Sequence, residues 1–448
     1  MEMCKNYLTA AANLKIEGIV NDINSGDENE IITALRALKI FTKKCYWGKR
    51  GIHINADYSN VIPKLVQFLS SVDKPDLQMD SAEVLTNIAS GTSDQAKAVV
   101  SAGAVAGIIS MACSLDPRVA ESAGCDLAWL ASKRQELCEE IIKPLLMLIK
   151  PDSPVTLLQR VIYALITFCQ FININPPTFI LPALAHSPPT FILPALAHLL
   201  HHNDETIITD ACHAFIYFQG SDEVIQEVVN AGVVPRLVAL LQDREVAIVP
   251  CPNHCAIFSI LRTIGNITSG TFDQAKAVVS AGAVTPLISF LGSHRDVAEE
   301  ALFALSNIAG FGPELRNCVF EQGINRPLLS LIKPDSPDIK LLRMVTWTLC
   351  SLCHSHEESP LTVPVIQQLL TGLAHLSHHN NDDEILTAAC KALSNLEMNI
   401  VENKKAAAIE SDITALNALS SKTLAILERY LFPTELSNGE SKLAPSTS

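Results

Sequence analysis

Apolar residues recur along this chain at helical intervals. In the string EEALFALSNIAG, Glu299 to Gly310, the residues Ala301, Leu305 and Ile308 follow one another at i, i+4 and i+7, the spacing of a buried stripe. At about 100° per residue, Phe303 and Asn307 fall roughly 200° or more around the helix from that stripe, so they are predicted to face away from the core. The same arithmetic sets Val345, Leu349 and Leu352 inward against Trp347 and Ser351, and Ile260, Ile264 and Ile267 inward against Arg262 and Asn266. Each helix of this kind presents an outward pair at i and i+4, and stacked helices would align the pairs as a ladder.

The strings ahead of EEALFALSNIAG complete a unit. QAKAVVSAGAV and PLISFLGSHRD read as a short helix, a bend at Gly282, a second helix and a polar loop, which predicts three helices per repeat. The chain also duplicates itself. GTSDQAKAVVSAGAV, Gly91 to Val105, returns at Gly270 to Val284 with one change in fifteen residues, and LIKPDSP occurs at Leu148 to Pro154 and at Leu331 to Pro337. Comparable ladder positions fall at Asn87, Trp129, Thr167, Tyr217, Asn266, Asn307, Ser351 and Asn395, seven intervals averaging 44 residues. That period belongs to armadillo or HEAT units. Residues 1–13 read as an extension, 14–432 as one solenoid of about nine to ten units with a partial duplication of 91–216 in 270–395, and 433–448 as a disordered tail by composition. The fold expected is all-α, a right-handed superhelical solenoid of armadillo repeats, whose function resides in a surface and not in a pocket.

Composition narrows the partners. Among 448 residues, 48% are hydrophobic and 5% aromatic, which suits packed small-residue helices, and the net charge is −14. Such a charge disfavours nucleic acid and anionic membrane and favours basic ligands. Thirteen cysteines with no secretory leader point to reduced thiols in the cytoplasm or nucleus. The uncharged stretch Ala98 to Leu115 is long enough to raise a membrane span, but its glycines and serines, and Pro286 in the second copy, fit a helix, a bend and another helix better.

The runs VLTNIASGTSDQAKAVV (Val84 to Val100), LFALSNIAG (Leu302 to Gly310), VTWTLCSLC (Val345 to Cys353) and LAHLLHHND (Leu196 to Asp204) resemble the armadillo repeats of the importin alpha family. The resemblance covers most of residues 15 to 432. It implies an adaptor that binds nuclear localisation signals, basic extended peptides of cargo proteins, for import into the nucleus. In that family the ladder is a tryptophan followed four residues later by an asparagine. An asparagine amide both donates to and accepts from a peptide backbone, and a tryptophan face meets a lysine ammonium at roughly 0.5 to 2 kcal/mol per contact.

By resemblance the peptide-binding residues are Asn87, Gly91, Thr92, Arg262, Asn266, Gly270, Thr271, Phe303, Asn307, Trp347 and Asn395. Departures accompany them. Trp347 alone keeps a ladder tryptophan of the family type; Glu83, Cys125, Tyr163, His213, Phe303 and Lys391 fill equivalent places, and Phe311 stands where the family has an aspartate that pairs with the central lysine of the signal. The first residues, MEMCKNYLTAAANLKIEG, hold two basic residues where the family carries an arginine-rich arm that recruits importin beta, so recruitment by that route is not expected. The alternative is a degenerate armadillo interaction scaffold without import activity.

Other motifs read as structure. Cys350, Cys353 and His354 match haem-attachment spacing but fall inside a predicted helix; Cys251, His254 and Cys255 lack a second ligand pair and read as an insertion loop; Lys43, Lys44, Lys49 and Arg50, and His201, His202, His378 and His379, read as solvated loops. PPTFILPALAH occurs twice in tandem from Pro176 and Pro188, and its prolines would break a helix threaded through them. With no nucleophile and base pair, phosphate loop or metal-ligand spacing, neither catalysis nor a cofactor is expected.

Overall fold

The computed structural model describes residues 16–25, 27–47, 57–133, 138–150, 152–174, 190–243, 256–332, 338–354, 360–379, 382–406, 417–418 and 420–425. The first copy of PPTFILPALAH, the Cys251 to Cys255 segment, Lys49, Arg50 and the 433–448 tail lie outside the described residues, as do the side chains of Lys43, Lys44, His378 and His379.

Helices account for the regular structure, and no strand occurs among the described residues. Nine of the described helices set the frame: α1 (Glu28–Trp47), α2 (Pro75–Ala89), α3 (Pro117–Lys133), α4 (Val155–Ile174), α5 (Glu205–Phe215), α6 (Ala256–Thr268), α7 (Arg295–Gly310), α8 (Ile339–Leu352) and α9 (Asp383–Ala406). Further helices connect them, most of them short and one, Val363–His379, of 17 residues. The chain divides into two compact units, one of Met1–Val233 with Ile248–Ser259, the other of Val234–Ala247 with Ile260–Ser448. Each unit holds one copy of the duplicated block.

In the first unit α1 to α5 pack consecutively, α1 on α2, α2 on α3, α3 on α4 and α4 on α5. In the second, α7 packs on α8 and α8 on α9, while Asn307 of α7 bonds to the Gly265 carbonyl of α6. This is the all-α armadillo-repeat architecture, in which each repeat contributes its third helix to a stack.

The stripes read from the sequence are the core. Ala301, Leu305, Ile308, Val345, Leu349 and Leu352 are all fully buried, as are Ile260 and Ile264. Truncating such a leucine costs about 2–5 kcal/mol in a packed interior.

The duplicated string builds the same local structure in both units. Thr92 begins Ser93–Ser101 and Thr271 begins Phe272–Ser280, each with a threonine hydroxyl accepting from the backbone of the glutamine three residues on, and that glutamine's side chain accepting from the threonine N–H. These reciprocal bonds satisfy two amides that a helix start otherwise leaves open. Both helices then end at a glycine with positive φ, 85° at Gly103 and 84° at Gly282, where a side chain would be strained. The following helices depart at 66° in the first copy and 82° in the second, and no single helix among the described residues is long and apolar enough to cross a membrane. The Ala98 to Leu115 stretch is therefore two bent helices, each buried on one side.

Candidate peptide-binding face

Within the second unit the ladder runs from α6 to α9. Trp347, in the middle of α8, is 64% exposed although it is the largest apolar side chain on its helix. A cavity of about 650 Å³ opens beside it, walled by Trp347, Cys350 and Ser351 of α8, by Lys391 and Asn395 of α9, and by Gly310 at the end of α7. Asn395 is half-buried, and its Nδ2 is buried without a hydrogen-bond partner. A buried amide donor left open is costly unless something supplies an acceptor. Arg343, Asp383, Glu384 and His354 complete the rim. Arg343 is already neutralised by two carboxylates, with Nε and Nη2 donating to Asp382 at 3.1 and 2.7 Å and Nη1 meeting Glu384 at 2.9 Å.

The last turn of α8 is fixed from behind. Asn399, fully buried on α9, donates from Nδ2 to the Cys353 carbonyl at 3.0 Å and accepts the Leu361 N–H at 2.9 Å. Arg316, also fully buried, donates from Nη1 to the His354 carbonyl at 2.7 Å. Orphan carbonyls at a helix end need such partners, and these two hold the wall that carries Trp347. Cys350 and Cys353 are free thiols whose pKa values burial raises; Cys350 lies in α8 as expected, whereas Cys353 caps its C-terminal end.

The other ladder members are less open. Phe303 is half-buried, its ring against α6 so closely that a β-carbon at Gly265 would stand 2.5 Å from Phe303 Cδ1. Asn307 donates from Nδ2 to the Gly265 carbonyl at 3.3 Å. Asn266 departs from the expected outward placement, being only 6% exposed; it is next in sequence to Gly265, against which Phe303 of α7 packs. Arg262 pairs with Glu300, a buried carboxylate that burial pushes up to about 6. Phe311 lies edge-on to Phe272 at 6.5 Å, an apolar contact where the resemblance places a carboxylate.

In the first unit the ladder carries different chemistry. Glu83 is ion-paired with Lys39 of α1 at 2.6 Å. Asn87 donates from Nδ2 to Thr42 at 3.4 Å, and Trp129 donates from Nε1 to Ser90 at 3.1 Å. Cys125 is exposed and Tyr163 is 41% exposed, whereas His213 is buried, with the Tyr217 hydroxyl 3.3 Å from its Nε2. An asparagine amide carries two hydrogens and an acceptor oxygen, so one bond to a neighbouring helix leaves capacity at Asn87 and Asn307.

Thr92, Thr271, Gly91 and Gly270 sit at helix starts. The two hydroxyls serve the capping bonds described above, and a β-carbon at Gly91 would meet Gln95 Oε1 at 2.2 Å. A threonine followed three residues later by glutamine is a helix-start signal in its own right. Asn399, Arg316 and Gly265 had no such signal, because each acts through a distance between helices.

The armadillo/beta-catenin-like repeat matches residues 221–249. Importin subunit alpha-1a of Oryza sativa subsp. japonica is 32% identical over 286 residues, covering 61% of this chain and 50% of that protein. The chain is thus similar to importin subunit alpha proteins over part of their length and contains an armadillo-type repeat. Importin subunit alpha-2 of Arabidopsis thaliana is 35% identical to it over 199 residues, 42% of this chain and 34% of the relative. The chain matches half or less of the length of those curated relatives. The crystal structure of an engineered protein shares its fold with a TM-score of 0.55 at 23% identity, covering 92% of this chain and 99% of that one.

Proposed function

We propose that this protein is an adaptor that binds basic, extended peptides of the nuclear-localisation-signal type along its ladder, and that it serves protein import between cytoplasm and nucleus. The observation that carries the reading is Trp347, 64% exposed at the mouth of a cavity whose far wall holds the unpartnered Nδ2 of Asn395. A lysine stem packs on the indole and its ammonium meets the ring face, while Asn395 supplies a donor for a peptide carbonyl. The names of the relatives and the net charge of −14 agree with a basic ligand. None of this requires chemistry on the ligand, and an adaptor is not an enzyme.

The experiment is a fluorescence-anisotropy titration with a labelled lysine-rich peptide. Binding weakened at least fivefold by Trp347→Ala and by Asn395→Ala is expected. No binding at tens of micromolar, or binding indifferent to both changes, overturns the reading. The second reading, a scaffold of the same fold that holds some other extended segment, is favoured by the amide hydrogens of Asn87 and Asn307 already bonded within the protein. It predicts that an uncharged peptide of equal length binds as well as the lysine-rich one.

A further inference from the structure

The cavity beside Trp347 is bipolar. Contacts from α8 to α9 advance in one direction, from Arg343 on Asp382 and Glu384 at the start to the Cys353 carbonyl on Asn399 at the end, so the two helices lie side by side and parallel. Lys391 falls between those levels, near enough to Cys350 for its charge to act on that thiol. Asp383 and Lys391 are eight residues apart on α9, about 12 Å along the helix axis. Trp347, four residues after Arg343 and three before Cys350, lies between their levels, and all three side chains line the same cavity.

The protein has used the charges at the two ends differently. At the start of α9, Arg343 is held by Asp382 and Glu384, while Asp383 is exposed and carries no ion pair among the described residues. Three carboxylates against one guanidinium leave that end negative. Lys391 is exposed and has no hydrogen bond or ion pair among the described residues. The residues one turn from it on α9, Thr387, Ala388, Ser394 and Asn395, include no carboxylate. An exposed lysine on a helix is ordinarily just solvated; this one stands four residues before Asn395, as Trp347 stands four before Ser351 on α8. The rung of the ladder that follows the tryptophan is therefore a cation.

We propose that Lys391 makes this cavity selective for a basic peptide in which the lysine on Trp347 has an acidic residue two positions away, whose carboxylate pairs with Lys391 Nζ. The spacing follows from the geometry of both chains. Side chains of an extended peptide alternate, so residues two apart share a side at about 6.5–7 Å, against 8–10 Å between the axes of packed helices. The flexible four-carbon stem of Lys391 spans the difference. A second lysine at that place would meet a like charge. The inference rests on the basic-peptide reading and adds the order of charges in the ligand, a cation toward Trp347 and Asp383 and an anion toward Lys391.

The test is competition fluorescence anisotropy on the full chain with peptides identical except at their centre: Lys-Ser-Glu, Lys-Ser-Gln and Lys-Ser-Lys, together with the reversed orders Glu-Ser-Lys and Gln-Ser-Lys. In one of the two orders, wild type is expected to bind the glutamate peptide about three- to fivefold more tightly than the glutamine peptide, the size of a partly exposed ion pair, and to bind Lys-Ser-Lys more weakly than either. The preference should shrink in 0.5 M salt. Lys391→Gln is expected to erase it and Lys391→Glu to reverse it, with unchanged thermal melting because Lys391 holds no internal bond. Trp347→Ala is expected to weaken all the peptides alike. Equal binding of the glutamate and glutamine peptides in both orders, a preference for the second lysine, or a glutamate preference that survives Lys391→Glu overturns this inference and leaves the basic-peptide reading standing. If no peptide of the set binds at tens of micromolar, that reading falls and the inference with it.

Discussion

Phe303 lies across Gly265 with no room for a methyl group between them: a β-carbon on the glycine would sit 2.5 Å from Cδ1 and 3.0 Å from Cε1 of the ring. Alanine is ordinarily the better helix former by about 1 kcal/mol, but here the clash decides the sign. Gly265→Ala is expected to destabilise the protein by about 1–3 kcal/mol. In a Phe303→Ala background the same change should become neutral or stabilising. Urea denaturation of the four proteins in a double-mutant cycle measures the coupling.

Arg316→Met removes the donor that closes the His354 carbonyl at the end of α8. A charge-assisted bond of this kind contributes about 1.5–3 kcal/mol, and a loss of that size in thermal or chemical unfolding is expected. A change within about 0.5 kcal/mol would mean that the methionine stem alone holds the turn.

The threonines at the two helix starts separate capping from binding. Thr92→Ala and Thr271→Ala should each cost about 1 kcal/mol, with serine restoring most of it, because the hydroxyl accepts from the third residue of its helix. If that is their whole role, the affinity for a lysine-rich peptide stays within twofold. A larger drop in anisotropy titrations, with stability corrected by the serine variants, would assign them to the ligand as well.

Glu300 gives a pH signature. Burial raises its carboxyl from 4.5 to about 6 in the folded state, against the partial compensation of Arg262. The folded protein thus binds this proton more tightly than the unfolded chain does, so the group's contribution is most favourable below pH 4.5 and is lost as pH rises through about 6. Glu300→Gln has no proton to lose. Its stability relative to wild type should increase by about 1–2 kcal/mol between pH 4.5 and 7, and a difference that stays flat over that interval would refute the assignment.

The inner stripes and the ladder were legible because both are angular properties of a single helix: Ala301, Leu305 and Ile308 define one side, and Trp347 falls on the other of its own helix whatever the neighbours do. Separations between helices are not periodic and left no trace. Periodicity turns Asn266 outward, yet it is buried beside Gly265, and the pattern cannot say that Asn307 spends a hydrogen on that glycine's carbonyl. Asn399 reads as one more polar residue on α9 until the end of α8 is in place. The threonine and glutamine of each helix start were readable, but their match to the family's lysine pocket drew the interpretation toward ligand instead of backbone.

The fifteen-residue string that opens at Gly91 and again at Gly270 carries its own start, its own corner and its own inward-facing Val99 or Val278. Because these instructions are satisfied within the segment, a genome can copy such a cassette into a new location without re-engineering what surrounds it. Length in a protein of this type is then an evolvable quantity, adjusted by transplanting self-sufficient pieces while the exposed side chains diverge.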